Sequence, residues 1–149
     1  MNIRMAISSL TIACLISSLA LADDGTWLQD FSKAKSVAVE KKLPILALFT
    51  GSDWCPWCKK LDKEILSTEE FKTFAKSNVV LFIADFPRKS EQPAEIVKQN
   101  QDLADKYKIE GFPTVLLMDA SGKALGQLGY EEGGSKPFVE RLKSFLAKK

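Results

Sequence analysis

Short apolar runs alternate with polar and glycine-rich segments along residues 27–149, and this pattern predicts a mixture of strands and helices. Three runs are predominantly apolar, namely Ile45–Phe49, Val79–Phe86, in which Asp85 is the one charged residue, and Val115–Met118. Such runs are typical of central strands that are covered on both faces of a sheet. A more polar run, Ala124–Gly129, follows the turn Asp119–Gly122 and is predicted to be an edge strand paired in a hairpin.

Five helices are predicted around these strands, because apolar residues recur there at spacings of three and four. The predicted spans are Trp27–Lys42, Pro56–Leu66, a short helix ending near Ser77, Ala94–Lys108 and a last helix beginning at Ser135. The third helix is expected to open with a capping box, with Ser67 as N-cap and Glu70 three residues later. Ser135 is expected to cap the last helix, with Pro137 in its first turn.

The order of these elements predicts the fold class. Helix, strand, helix, helix, strand, helix, strand, strand and helix follow one another, which indicates an α/β fold in three layers. Its centre is a mixed sheet of four to five strands with helices on both faces. The core-facing positions predicted for the last two helices are Ile96, Val97, Leu103, Ala104, Tyr107, Phe138, Leu142, Phe145 and Leu146.

The first 22 residues have the pattern of a signal peptide. Arg4 gives a positive start, residues 5–22 carry no charge, and Ala20-Leu21-Ala22 fits the small-residue cleavage signature. We expect cleavage after Ala22, which leaves residues 23–149 as the folded domain in the periplasm or another extracytoplasmic compartment. An uncleaved membrane anchor is the alternative, because the apolar run is close to the length that spans a bilayer.

Composition and charge narrow the function classes. The chain is 46% hydrophobic and 27% charged, which is typical of one globular domain. Loss of Arg4 with the leader leaves 20 basic and 19 acidic residues, a net charge of about +1. This balance gives no electrostatic case for binding nucleic acid or an anionic membrane surface. Cys14 follows a poor lipidation signal and is expected to be removed with the leader.

The two remaining cysteines, Cys55 and Cys58, lie at the junction between a predicted strand and a predicted helix. At this spacing on a first helical turn their side chains face the same way and can form a disulfide. Free N–H groups at a helix start stabilise a thiolate, and Pro56 is tolerated in this first turn. We therefore expect Cys55 to be the nucleophile and Cys58 to resolve the mixed disulfide.

A structural or metal-binding role fits the cysteine pair less well than a redox role. A purely structural disulfide over two intervening residues closes a small loop and adds little chain-entropy stabilisation. A zinc site would lack two ligands, because the chain contains no histidine and only this pair of cysteines in the domain. We therefore expect a redox site without bound metal or dissociable cofactor.

Two motifs together resemble the thioredoxin superfamily over essentially all of residues 23–149. Asp53-Trp54-Cys55-Pro56-Trp57-Cys58-Lys59 follows an apolar strand, and Gly111-Phe112-Pro113-Thr114 precedes a later strand. Within the superfamily the chain is similar to small exported bacterial proteins near the periplasmic Dsb systems. The resemblance implies a thioredoxin-like three-layer sandwich and thiol-disulfide oxidoreductase activity.

The resemblance also implies roles for four residues around the cysteines. Pro113 is expected to be a cis proline facing the pair, where it also keeps a metal out, and the Phe112 backbone is expected to pair with an extended substrate. Trp54 is expected to offer an apolar surface beside the sulfur. Trp57 fits a core position and an exposed substrate-binding position equally well.

The chain departs from the thioredoxin pattern in three respects. The acid expected on the strand before the site would fall near Leu48, so Asp53, Lys59 or water remain as proton acceptors for Cys58. The dipeptide between the cysteines is Pro56-Trp57, which does not settle the direction of electron flow. The absence of histidine removes the imidazole that makes some oxidants strong, and this favours a reductase.

The sequence therefore predicts a monomeric reductase of disulfides in cysteine-containing exported proteins. Its electrons are expected to come from a membrane or thioredoxin-type donor. A periplasmic oxidase or isomerase is the alternative within the same class, and a non-catalytic thioredoxin-like binding module is the alternative outside it.

Overall fold

A computed structural model of the chain describes residues 25–148 as an α/β domain built on a four-stranded sheet in the order β2-β1-β3-β4. The strands are β1 (Ile45–Thr50), β2 (Val80–Asp85), β3 (Thr114–Met118) and β4 (Ala124–Leu128). β1 pairs in parallel with β2 and antiparallel with β3, which in turn forms the hairpin with β4. The predicted mixed sheet is confirmed.

Five helices cover the two faces of this sheet, as predicted. They are α1 (Phe31–Lys41), α2 (Pro56–Leu61), α3 (Glu69–Asn78), α4 (Ala94–Tyr107) and α5 (Ser135–Leu146). α2 continues into a wider π-helical turn over Asp62–Leu66. None of the helices within residues 25–148 has the length and apolar character needed to cross a bilayer. The predicted signal peptide, residues 1–22, lies outside the described part of the chain.

Each face of the sheet carries its own apolar core. Every side chain of β1 is buried, because alternate residues enter opposite cores. One core lies under α2, α3 and α5 and includes Leu48, Leu61, Phe71, Val115, Phe138 and Leu142. The other lies under α1 and α4 and includes Phe31, Ala38, Phe49, Phe82, Leu103 and Met118. The predominantly apolar strands of the sequence are therefore explained by two-sided burial.

The strand register brings three loops together where β1 and β2 end and β3 begins. Thr50 at the end of β1 pairs with Asp85 at the end of β2, and Phe49 pairs with Thr114 at the start of β3. The loop before α2, the loop after β2 and the loop before β3 consequently meet at this end of the strands. The first of these loops carries the cysteine motif, and the third carries Phe112-Pro113.

The first helix begins later than the periodicity predicts. Asp30 is its N-cap and accepts hydrogen bonds from the Ser32 and Lys33 amides at 2.8 and 3.1 Å. Leu28, which the prediction placed inside the helix, instead pairs its backbone with β2 next to Phe82. The edge of the sheet thus holds one extra residue in a short bridge, because a backbone next to a free strand edge can satisfy its hydrogen bonds there.

Two predicted caps were wrong. Thr68, one residue after Ser67, caps α3 and accepts from the Phe71 amide at 3.3 Å. Gly134 occupies the N-cap of α5, and Ser135 donates its hydroxyl hydrogen to Glu70 at 2.6 Å. Ser135 and Glu70, each predicted to belong to the cap of its own helix, therefore serve a contact between α3 and α5.

The inner face of α4 differs from the prediction at one position. Val97 is 51% exposed, whereas Asn100 is 1% exposed and donates to the Asp85 carbonyl oxygen at 2.9 Å. Leu103 and Ala104 are buried as predicted. The polar residue is accommodated in the core because it satisfies the last carbonyl of β2.

Candidate active site

Cys55 and Cys58 are joined by a disulfide at the start of α2, with their Cα atoms 5.2 Å apart. Cys55 is the N-cap of α2 and Pro56 stands in its first turn, as the sequence predicts. The two cysteines are 3% and 4% exposed, so neither sulfur is openly presented to solvent. Access to the disulfide therefore depends on the loops that surround it.

The backbone of α2 is directed at the Cys55 sulfur. The Cys58 amide donates to Cys55 Sγ at 3.2 Å, and the Cys55 amide is itself held by the Gly51 carbonyl oxygen at 2.9 Å. A thiolate on Cys55 would accept the same amide hydrogen bond and would gain from the positive end of the helix. This arrangement favours Cys55 as the sulfur that carries negative charge after reduction.

The loop before β3 lies against the Cys55 sulfur. The peptide bond between Phe112 and Pro113 is cis, as expected from the resemblance. The Phe112 carbonyl oxygen is 3.7 Å from Cys55 Sγ, and Thr114 donates to the Gly111 carbonyl oxygen at 2.8 Å. The backbone of Phe112 is thus next to the position that a substrate sulfur must occupy.

Trp54 packs between the cysteine loop and the loop after β2. Its indole N–H donates to the Phe86 carbonyl oxygen at 2.8 Å, and its ring meets the Phe112 ring edge-on at 6.1 Å. A Cβ atom on Gly51 would overlap the indole, so the ring lies directly on this glycine. Trp54 therefore forms one wall beside the disulfide, although its ring is partly covered.

Trp57 is 56% exposed, which settles the two alternatives left by the sequence in favour of the surface position. It lies in an open groove of about 420 Å³ that is lined by Trp57, Phe112, Pro113, Tyr130 and Glu132. The rings of Trp57 and Tyr130 are 5.5 Å apart. Three of the four residues predicted to bind substrate, all but Trp54, share this groove.

Sequence reasoning missed Tyr130 and Glu132, which complete the groove. The register explains why they belong to it: Leu128 pairs with Val115, so Tyr130 lies two residues further, level with Pro113. In the sequence, only the length of the hairpin indicates that Tyr130 belongs to the groove. The pairing of β3 with β4 must be known before Tyr130 can be placed.

A small charged network holds Tyr130 in place. Its hydroxyl donates to Glu64 at 2.6 Å, and this hydrogen bond raises the pKa of Tyr130 and keeps the phenol neutral. Lys60 Nζ lies 4.9 Å from the Tyr130 ring centre and 5.4 Å from that of Trp57. Interaction with the Tyr130 oxygen raises the pKa of Lys60, so a cation remains beside both rings.

Asp53, one of the candidate proton acceptors, is engaged elsewhere. Its carboxylate accepts hydrogen bonds from three consecutive amides, those of Arg88, Lys89 and Ser90, at 2.7 to 3.3 Å. The hydrogen bond from the Arg88 amide contributes most to lowering the pKa of Asp53. Lys59 donates to the Asp53 carbonyl oxygen at 3.1 Å. Asp53 is thus a poor proton acceptor and a good loop anchor.

A cavity of about 120 Å³ lies on the inner side of Cys58. Its lining combines apolar and polar groups, namely Leu48, Thr50, Ser52, Lys59, Asp62 and Ile83 in addition to Cys58. The position near Leu48 has no acid, as the sequence shows, but Asp62 is among the residues that line the same cavity, and its Oδ1 accepts from the Ser67 hydroxyl at 3.1 Å. Asp62 also lines a second, larger groove of about 530 Å³ on the surface beside α3. It therefore connects the surroundings of Cys58 with solvent.

The described residues contain no cluster of three or more histidine, cysteine or acidic side chains arranged to hold a metal ion. The functional groups at this site are accordingly two sulfurs, backbone amides and a carbonyl, aromatic rings and nearby charges. These groups are suited to thiol-disulfide exchange, in which a thiolate attacks a sulfur and a second thiolate displaces the product.

Comparison with protein families agrees with this geometry. Residues 31–136 match a family described as a thioredoxin-like domain. The chain is 41% identical over 118 residues to the disulfide bond reductase DsbH of Chlamydia pneumoniae, covering 79% of this chain and 71% of that protein. It is 29% identical over 137 residues to the thioredoxin-related protein DsbJ of the same organism, of which it spans 39%.

The fold of a related protein has also been determined. A structure described as DsbH oxidoreductase superposes with a TM-score of 0.79 at 36% sequence identity. The match covers 97% of this chain and 96% of the other. The similarity therefore extends through the whole domain, including the loops that surround the cysteine pair.

Proposed function

We propose that this chain reduces disulfides in exported proteins through Cys55 and Cys58. The chain belongs to the thioredoxin-like domain family and is a thiol-disulfide oxidoreductase. The observation that carries the proposal is the disulfide at the start of α2. The Cys58 amide is 3.2 Å from Cys55 Sγ, and the Phe112 carbonyl oxygen lies 3.7 Å away on the other side.

The reaction proceeds in two exchanges at sulfur. The Cys55 thiolate attacks one sulfur of a substrate disulfide, a bond forms between the two sulfurs, and the other substrate sulfur leaves as a thiolate. Cys58 then loses its proton and attacks Cys55, which releases the second substrate sulfur. The substrate disulfide gains two electrons and becomes two thiols, while the two protein thiols become the disulfide seen in the structure.

Cys58 needs a base for the second exchange. Asp62 lines the cavity beside Cys58, is exposed, and also lines the surface groove. We assign Asp62, directly or through water in the cavity, as the group that accepts the Cys58 proton. This assignment replaces Asp53, because both Asp53 oxygens accept from the 88–90 amides, whereas one Asp62 oxygen accepts a hydrogen bond, from the Ser67 hydroxyl.

Two observations favour reduction of the substrate as the direction of electron flow. The relative with 41% identity is named a disulfide bond reductase, and the 149 residues contain no histidine to stabilise the Cys55 thiolate further. A less stabilised thiolate leaves the dithiol form more reducing. The substrates we propose are cysteine-containing exported proteins. A membrane or thioredoxin-type donor would return electrons to the pair without a dissociable cofactor, in the compartment reached through the predicted signal peptide.

Single substitutions of the cysteines test this mechanism. Cys55→Ser removes the attacking sulfur and is expected to abolish insulin disulfide reduction. Cys58→Ser removes the resolving sulfur and is expected to trap mixed disulfides, visible as substrate adducts on a non-reducing gel or by mass spectrometry. Reduction that survives Cys55→Ser would contradict the assignment of the nucleophile. A wild-type protein that binds substrate without reducing it would instead indicate a binding module.

A further inference from the structure

The loop after β2, residues 87–90, is bound tightly to the cysteine loop although the two are distant in sequence. Asp53 accepts from the Arg88 amide at 3.0 Å, from the Lys89 amide at 2.7 Å and from the Ser90 amide at 3.3 Å. Asp85, which precedes the loop, accepts from the amide and the hydroxyl of Ser52 at 2.9 and 2.6 Å. The 87–90 loop is therefore held by its backbone and leaves its side chains available.

Aromatic contacts attach the same loop to the residues beside the disulfide. Phe86 stacks on Phe112 at 4.9 Å, and its carbonyl oxygen accepts from the Trp54 indole. Trp54 directly precedes Cys55, and Phe112 directly precedes the cis proline Pro113. The loop after β2 thus forms a wall of the candidate active site through its contacts with Trp54 and Phe112.

Arg88 is the residue that this wall presents. Its guanidinium carbon lies 3.6 Å from the centre of the Trp54 ring, a stacked position that uses the face of the guanidinium and leaves its edge N–H groups free to donate. Arg88 is exposed, and it makes no ion pair with a carboxylate of residues 25–148. A cation that has no carboxylate partner among the described residues therefore lies on the ring of Trp54, the residue that directly precedes the attacking cysteine.

We infer that Arg88, positioned by Asp53 and Trp54, is a specificity-determining residue that binds a carboxylate side chain of the disulfide substrate. The inference rests on the proposed function, because it concerns the substrate of that same reaction. A planar guanidinium suits a carboxylate, which it can bind with two parallel hydrogen bonds. Asp53 is a positioning residue here, since it contacts the loop and not the substrate.

The polarity of the site places this preference on one flank of the substrate cysteine. Arg88 lies over the Trp54 ring, whereas the groove on the Trp57 side is lined by Glu132 and bordered by Lys60 and Glu64, three groups with a net negative charge. An extended substrate advances ~3.3 Å per residue, so a side chain two positions from the cysteine can reach Arg88. An acidic residue on the Arg88 flank should therefore help, whereas on the other flank Glu132 and Glu64 offset the attraction of Lys60 and the same residue should bring no gain.

Three synthetic peptides test the inference. Each has a single cysteine, present as a mixed disulfide with 2-mercaptoethanol, and they carry serine at positions −2 and +2, aspartate at −2, or aspartate at +2. Stopped-flow tryptophan fluorescence of the reduced full domain gives the second-order rate constant for each. We expect one of the aspartate peptides, and not the other, to react about two- to fivefold faster than the serine peptide, the size of an exposed ion pair.

Variants of the loop identify the residue responsible. Arg88→Gln is expected to bring the ratio of the rate constants for the aspartate and serine peptides close to one. Arg88→Lys is expected to keep part of the preference for aspartate, because the charge remains without the planar guanidinium. Asp53→Ala is expected to reduce the ratio, and Asp53→Asn to reduce it less because one acceptor oxygen remains. The matched control is Lys89→Gln, which removes a neighbouring positive charge, keeps the amide that binds Asp53 and should preserve the ratio.

The outcomes separate this inference from the proposed function. Equal rates for all three peptides, or a Lys89→Gln variant that loses the ratio as fully as Arg88→Gln, would overturn the specificity assignment while leaving the reductase intact. A ratio unchanged in Asp53→Ala would overturn the positioning role of Asp53. Failure of the wild-type protein to reduce even the serine peptide would overturn the proposed function together with the inference.

Discussion

At the scale of single residues, the site depends on close contacts that tolerate no added atoms. Trp54 lies on Gly51, donates to the Phe86 carbonyl oxygen and carries the Arg88 guanidinium on its face. The absent side chain of Gly51 is what allows the indole to approach the backbone so closely. The position of Trp54 beside the disulfide is therefore set by a glycine that has no chemistry of its own.

Gly51→Ala is expected to lower the free energy of unfolding by about 1–3 kcal/mol, the usual cost of overpacking, because the new methyl group overlaps the indole. Gly111→Ala is the matched control: it lies in the loop before β3, and an added Cβ there has no atom within 4 Å. Its unfolding free energy should change by less than about 0.5 kcal/mol. Urea denaturation of the oxidised proteins measures both values, and similar losses in the two variants would contradict the contact.

The proposed role of Asp62 as acceptor of the Cys58 proton is also tested by substituting a single residue. Asp62→Asn is expected to slow the second exchange by about ten- to a hundredfold, at the low end of general-base contributions because water can replace the carboxylate in part. Rapid chemical quench of the mixed disulfide, followed by mass spectrometry, separates this step from the first. Raising the pH should restore the rate, since hydroxide can then remove the Cys58 proton.

The control for Asp62 is Glu69→Gln. Glu69 lines the same surface groove as Asp62 but does not line the cavity of Cys58. It should leave both exchanges unchanged. A second exchange that is equally fast in Asp62→Asn and in the wild type would rule out Asp62 as the proton acceptor.

At the scale of elements, local sequence decided the existence of each helix and strand but not every boundary. The three predominantly apolar runs became the three strands with two-sided burial, and their ends differ from the prediction by only one or two residues. The start of α1 was misplaced because Leu28 finds hydrogen bonds on the edge of β2, a contact that no local pattern contains. Asn100 is buried for a similar reason, since its partner is the Asp85 carbonyl oxygen at the end of a distant strand.

The cap of α3 gives a direct test at this scale. Thr68 accepts from the Phe71 amide and donates to the Ile65 carbonyl oxygen at 2.7 Å. Thr68→Ala is expected to destabilise the domain by about 1 kcal/mol, as for other N-cap residues. Ser67→Ala, at the position that the sequence pattern indicated, should change stability by less than about 0.5 kcal/mol. Thermal or urea unfolding that shows the larger loss for Ser67→Ala would contradict the observed cap.

At the scale of the whole molecule, the candidate site is assembled from three loops that the strand register brings together. The cysteine pair and Pro113 could be predicted because each lies in a short motif of characteristic spacing. Tyr130, Glu132 and the 87–90 loop could not, because they join the site only through the pairing of β3 with β4 and of β1 with β2. Reactive groups that lie close together in the sequence can thus be predicted from it. The residues that surround the disulfide and select a substrate can be identified only from the folded structure.

The central claim is that the Cys55–Cys58 pair donates electrons to disulfides. The most direct test is the reduction potential of residues 23–149, measured by equilibration with glutathione and then with a stronger dithiol buffer. We predict a value near that of thioredoxin, about −270 mV, at which the dithiol form reduces strained or exposed disulfides of higher potential. A value near about −120 mV, typical of strong disulfide donors, would contradict the account and make the protein an oxidase.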